Sequence, residues 1–251
     1  YFNQLSETYV AWNWKANGAG VSNTDGSITS TVSVGATSQQ NWFSIVSWTG
    51  TGANATVGHG LGGATPDLVI VKNRSIVSSW LVRLQILATN QTLLLENTTT
   101  PISTDYWQST QPDSSVFSVS SNSEVNGSGN NLVAYCFANA EGLCKVGKFS
   151  GNGSTDGSFI YTGHKPSFLL IKRTDSARDW ALIDTTRDID NPTNKTLIPN
   201  VSDAEYSGIT DIDILSNGFK PRTSGVMVNA SGGSYIFLSI SEQPFKYANA
   251  R

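Results

Sequence analysis

At 251 residues and 38% apolar content, the chain is long enough for one large or two ordinary domains with a real core. Charged residues make up only 14% of it and the formal net charge is −3, against a usual charged share of roughly 25%; Ser, Thr, Asn and Gly fill the polar positions instead. No Lys/Arg cluster supplies a counterion-releasing stripe, which argues against a nucleic-acid partner, and the apolar runs fall far short of the roughly 18 residues of a spanning helix, so no membrane insertion is expected.

Apolar and aromatic runs of four to eight residues with period 2, separated by NTDG, TGTG, NGSGNN, SGNGSTDG and NASGG, predict an all-β fold. The opening YFNQLSETYV has neither the basic start nor the apolar core of a signal peptide. In TYVAWNWKA, residues 8–16, Val10, Trp12 and Trp14 share one face of a predicted strand. The same pattern returns in NLVAYCFAN at 131–139, so residues 1–20 are expected to be the closing strand of a preceding or incomplete module, with a linker. Asp25 and Gly26 suit a tight reversal between Val21 and Ile28. Pro66 before LVIV and Pro166 before FLLI stand at strand mouths, where a missing N–H breaks no ladder bond. Both runs are apolar on two faces, as central strands covered on both sides are. Lys72 and Lys172 then mark where each strand emerges into solvent. Trp80 and Trp180, equally spaced after the prolines, are expected in the core of the next strand. SDAEYSGI offers one short helical turn at most.

These landmarks recur in order. Trp48 to Gly52 pairs with Phe149 to Gly153, and NQTL at 90–93 pairs with NKTL at 194–197. NLVAYCFA near 131 pairs with SYIFLSIS near 234. The expected architecture is two tandem antiparallel β-sandwich modules, residues 21–142 and 143–251, related by an internal repeat of about 100 residues.

Few residues point to chemistry. Cys136 shares its strand position with Asn13 and Ser239 and reads as filler; a bridge to Cys144 is sterically possible but no framework of spacings indicates it. Asp184, Asp188 and Asp190, with Asp211 and Asp213, are the best carboxylate group for glycoside hydrolysis or calcium. They read more simply as a polar loop partly neutralised by Arg187, because their separation across a cleft is not encoded in a loop. His59 and His164 lie in Gly-rich turns before the prolines, as turn residues or hydrogen-bond donors to a sugar. GHGLGG has no following helix and is not a phosphate loop. Composition accounts for most of the Asn-X-Ser/Thr triplets.

NTDGSITSTVS, FSIVSWTGTGANATVGHGLG, GSFIYTGHKPSFLLIKRTD and NASGGSYIFLSISEQPFKYANAR resemble a family of repeated C-terminal modules in large structural proteins of tailed bacteriophages, usually labelled tail fibre. The resemblance spans essentially the whole chain. It implies a structural virion protein on the external, extracellular surface, a fibre-like appendage contributing to host-surface glycan attachment. It carries no catalytic motif, metal or cofactor, so no enzyme is expected. Implied partners are other virion proteins, further copies of the chain as a homo-oligomer (a trimer), and host-surface glycan. The alternatives are a capsid-decoration or head-fibre protein, an extracellular polysaccharide-degrading enzyme, and a bacterial adhesin. Sugar rings stack on aromatic faces while amides and hydroxyls pair with their oxygens. Glycan contact is therefore expected at aromatics outside the predicted strands: Tyr106 and Trp107 in STDYWQST, and Tyr206 in DAEYSG. The competing expectation is that these rings pack against their own module.

Overall fold

The computed structural model describes residues 5, 6, 8–16, 18–36 and 41–241. The first half contributes β1 (Val21–Asn23), β2 (Ser30–Ala36), β3 (Asn41–Thr49), β4 (Ala55–Gly58), β5 (Leu68–Asn73), β6 (Trp80–Leu84), β7 (Gln91–Leu94), β8 (Ile102–Ser103), β9 (Val116–Val119), the helical turn α1 (Ser123–Asn126) and β10 (Asn131–Phe137). The second contributes β11 (Cys144–Ser150), β12 (Ile160–Tyr161), β13 (Pro166–Arg173), β14 (Trp180–Asp184), β15 (Thr193–Thr196), β16 (Tyr206–Leu215), β17 (Gly218–Pro221) and β18 (Ser234–Ser241).

The fold is all-β and the ladders between these strands are antiparallel. An eight-stranded sheet, in the order β1, β2, β3, β10, β5, β6, β7, β8, faces the β4 and β9 pair. Val32, Val46, Trp48, Val71, Phe117 and Val119 fill the space between them. In the second half, β11, β18, β13, β14 face β12, β17, β16, β15 over Leu169, Ile171, Ile183, Ile212, Phe219 and Phe237. A third apolar layer joins the halves: Phe43, Leu68, Val82 and Phe137, on the outer face of the large sheet, pack against Phe168, Leu170, Trp180, Ile236 and Leu238. LVIV and FLLI are apolar on both faces for this reason, having a sandwich core on one side and the joint on the other.

The order β3, β10, β5, β6 is the order β11, β18, β13, β14, and the registers correspond. Lys72 lies opposite Trp80, and Lys172 opposite Trp180. Thr49 pairs with Asn131, and Ser150 with Ser234. The turn after the first of these strands is also built alike. Buried Asn126 donates to Thr51 Oγ1 and the Ala53 carbonyl, at 3.0 and 2.6 Å, and its Oδ1 accepts from the Thr51 N–H. Asn229 donates to Asn152 Oδ1 and the Ser154 carbonyl, at 3.0 and 2.8 Å, and accepts from the Asn152 N–H. Gly50 and Gly151 let the crossing backbone approach, since a Cβ on either would collide with the Gly127 or the Ala230 carbonyl oxygen.

Three expectations change. Residues 8–16 join no strand. A Cβ built on Gly35 would lie 2.7 Å from the Lys15 carbonyl oxygen, so the segment crosses the outer face of β2 instead of adding to an edge. Trp12 and Trp14 reach the joint from there and meet the Phe168 ring edge-on at 5.7 and 5.2 Å, which buries their indoles better than an exposed strand would. The two lysines also part ways: Lys72 stays half-buried on the outer face of the large sheet, whereas Lys172 does not emerge into solvent. Lys172 is fully buried, and its Nζ donates to the carbonyls of Thr98, Arg173 and Arg178 at 3.2, 3.0 and 2.8 Å. Lys72 donates to the Ser78 carbonyl and, at 3.1 Å, to its hydroxyl. Each ammonium thus closes the loop six residues ahead, where carbonyls replace its water shell. Finally, Trp180 is buried as expected, but Trp80 is half-buried on the outer face of the large sheet and not in the core, because among the described residues no apolar layer covers it there. Cys136 and Cys144 are both buried and free, in keeping with the filler reading. Burial pushes the Cys136 thiol up to about 12, so it persists as an inert thiol.

The edges of the two halves differ. The edge of β3 is covered by β2, which β1 covers in turn. In the second half the chain turns from Ala140 straight into Cys144, and this turn and the Asn139 side chain, whose Oδ1 accepts from the Val146 N–H at 2.6 Å, meet the equivalent edge of β11. Beyond them β11 pairs with no further strand among the described residues.

Candidate functional site

Two of the three aromatics expected to touch glycan are inside the protein. Trp107 is 1% exposed and its Nε1–H donates to Thr92 Oγ1 at 2.6 Å. Tyr106 is 7% exposed and its hydroxyl donates to Glu124 Oε2 at 2.7 Å. Both rings fill the first sandwich core, and their polar tips find partners there as buried Tyr and Trp tips do. They are struck from the contact surface. Tyr206, the first residue of β16 and so within a strand, is 37% exposed, with its hydroxyl on Asp203. It stands apart from the other two.

The polar residues that could carry chemistry are engaged with backbone or with other side chains of the chain. His59 is fully buried: its Nε2 meets the Asp113 carbonyl at 3.2 Å and its Nδ1 accepts from the Leu61 N–H. His164, 1% exposed, pairs with Ser239 Oγ at 2.8 Å, and burial pushes it down to about 4. Neither ring is open to a sugar. Asp184 is 2% exposed and accepts from the N–H groups of Thr186 and Arg187 and, at 2.6 Å, from Arg187 Nε. Asp188 accepts from the N–H groups of Asn194 and Lys195. Arg83, 1% exposed, donates to the carbonyls of Ala88 and Gln91 and to Gln111 Oε1; desolvation lowers it to about 10. Among the described residues no group of three or more His, Cys, Asp or Glu is placed to hold a metal ion.

What the large sheet leaves open is more informative. Cross-strand partners place Ser22, Thr31, Ser47, Val133, Lys72 and Trp80 in one row across six strands. Val32, Val46, Val71 and Leu81 alternate with them and point into the core, so the row faces outward. Beyond it Thr49 pairs with Asn131, and the Arg74 N–H donates to the Asn131 carbonyl at 2.8 Å. Thr29, Thr31, Ser47, Thr49, Arg74 and Asn131 line a shallow pocket of about 220 Å³ with Trp48 and Leu132. At the other end of the row, half-buried Trp80 stacks on Tyr135, with ring centroids 6.5 Å apart and planes at 22°, and Lys72 Nζ lies 6.0 Å from the indole centroid. The second-half counterparts of Val133, Lys72 and Trp80 are Ile236, Lys172 and Trp180, all buried at the joint. The STVSV alternation in β2 marks a one-sided strand, but which side stays open depends on where the second half sits.

A second groove, of about 480 Å³, runs between the edge strands β11 and β12 and is lined by Lys145, Lys148, Phe149, Phe159 and Tyr161, with Asp67 from the first half. Phe159 and Tyr161 are exposed beside it.

Comparison with curated proteins and with solved structures returns no match. A family model described as "Domain of unknown function (DUF7483)" matches residues 1–244, nearly the full length, and the chain belongs to that family.

Proposed function

We propose that the chain is a structural protein of a tailed-phage virion, part of a fibre-like external appendage that contributes to host-surface glycan attachment. The observation that carries the adhesive part is the open row on the large sheet, where hydroxyls, an amide and a half-buried Trp lie on one rigid face. Sugars are held by this combination of hydroxyl and amide partners with an aromatic platform. The virion part is supported by the resemblance to phage fibre modules. The protein works by binding rather than by catalysis: His59 and Asp184 hold turns, and His164 is buried against Ser239 of β18. The two halves are copies of one unit of about 100 residues, a reading supported by their common strand order and register. Assembly with other virion proteins and as a homo-oligomer, a trimer, is supported by the edge of β11, which beyond Val146 pairs with no further strand among the described residues.

Electron microscopy of virions with a label specific for this chain, together with adsorption of the purified protein to host cells before and after enzymatic removal of surface glycan, tests both parts. Label on a fibre-like appendage and glycan-dependent adsorption are expected. Virions that carry no label overturn the location, and adsorption indifferent to glycan removal overturns the role.

A further inference from the structure

We propose that the outward row from Thr31 to Trp80 is the binding site for an acidic oligosaccharide, with a sugar carboxylate on Arg74 and a sugar ring against Trp80. The inference deepens the adhesive reading and rests on it. Arg74 is exposed and is the ionisable side chain lining the 220 Å³ pocket. Its planar fork suits a carboxylate in two parallel hydrogen bonds. Around it the hydroxyls of Thr31, Ser47 and Thr49 and the amide of Asn131 offer donors and acceptors at the spacing of a pleated sheet, which suits a polyol. Lys72 is held by Ser78, so its charge stays beside the indole and the ligand's fixed anion falls to Arg74.

Length selects the ligand further. From Thr31 to Trp80 the row crosses four strand spacings, about 19 Å at 4.8 Å each, which fits an oligosaccharide and exceeds a single sugar. The second half has no open version of this site, because Trp180 is turned into the joint with its Nε1–H on the Leu94 carbonyl at 2.9 Å. One site per chain is therefore expected.

Titration calorimetry on the full chain with oligogalacturonate, a neutral maltooligosaccharide of equal length and monomeric galacturonate tests the proposal. The acidic oligomer is expected to bind, with the neutral oligomer and the monomer weaker by about tenfold or more, roughly the worth of one charge-assisted hydrogen bond. Arg74→Ala should remove the preference for acid, and Arg74→Lys, which keeps the charge but loses the planar fork, should reduce it. Trp80→Ala should weaken acidic and neutral oligomers alike. Thr49→Val, an exposed change with little effect on folding, should weaken binding without altering the unfolding transition. Equal affinity for the acidic and neutral oligomers, full affinity for the monomer, or unchanged binding by Arg74→Ala overturns the proposal. If no oligosaccharide binds while glycan-dependent adsorption to host cells persists, this site falls and the adhesive function stands; if adsorption is absent as well, both fall.

Discussion

Lys72 with Trp80 and Lys172 with Trp180 are the same pair at the same ladder position, yet one lies at the surface and the other inside. The strands themselves do not make the difference. The segment around β7 and β8 reaches across to the second half, where the Thr98 carbonyl accepts from Lys172 and the Leu94 carbonyl from Trp180. Among the described residues Trp80 meets Lys72, Leu95, Glu96 and Tyr135, all from the first half. Burial here is decided by a third layer that no local pattern specifies, and one copy of a motif becomes mortar while the other stays available for contact.

The sharpest way to break this comparison is to truncate both indoles. Trp180→Ala should cost about 3–5 kcal/mol, as a large buried aromatic in a packed layer does, and it also leaves the Leu94 carbonyl unpaired. Trp80→Ala should cost about 1 kcal/mol or less, as changes outside packed interiors usually do. Urea unfolding of both variants checks this, and equal losses would mean that the joint contributes nothing beyond the sandwiches. Next in size are the turn clamps. Asn126→Ala and Asn229→Ala each strand buried backbone partners, a loss of about 1–3 kcal/mol, and the loss at Asn229 should be the larger because its amide also donates to the Thr223 carbonyl at 2.8 Å.

Smaller effects come from titration. His164 sits at about 4 in the folded protein, against about 6.5 in an unfolded chain, so the unfolded state binds the additional proton between those values. Its contribution is complete above about pH 6.5 and is lost as pH falls toward 4. His164→Gln should flatten that acid limb in urea midpoints. On the alkaline side Lys172 lies at about 8, lowered by burial, while an unfolded lysine holds its proton to about 10.4. Stability attributable to Lys172 therefore rises with pH through that window, and Lys172→Met should remove the rise. The smallest effect belongs to Tyr206→Ala: its ring lies at the exposed start of β16, and thermal unfolding should move by no more than about 0.5 kcal/mol.

What the sequence discloses is local. Alternation found the strands, Pro66 and Pro166 marked their mouths, and the paired landmarks placed Trp80 and Trp180 on corresponding strands. Missed features depend on contacts across the chain. Trp107 and Tyr106 look like surface residues because STDYWQST is otherwise polar, yet Thr92 and Glu124, distant in sequence, receive their donors. Asn126 and Asn229 sit in NGSGNN and NASGG and pass for turn filler; their burial follows from Gly50 and Gly151, which admit the crossing backbone. The open row is hidden for the same reason as the joint: Thr31 and Ser47 read as the polar side of a strand, but the extent of the covering layer is written in the second half.

The joint also has a meaning for inheritance. Cutting between Phe137 and Cys144, where the sequence offers a short link, would leave Phe43, Leu68, Phe168 and Leu238 on bare faces, and contiguous apolar surface of that kind promotes aggregation. Genetic exchange at that link yields a viable product only when the incoming half carries a complementary face. The cassette that recombination can move intact is the pair of sandwiches, and shuffling should keep the two faces of the joint together.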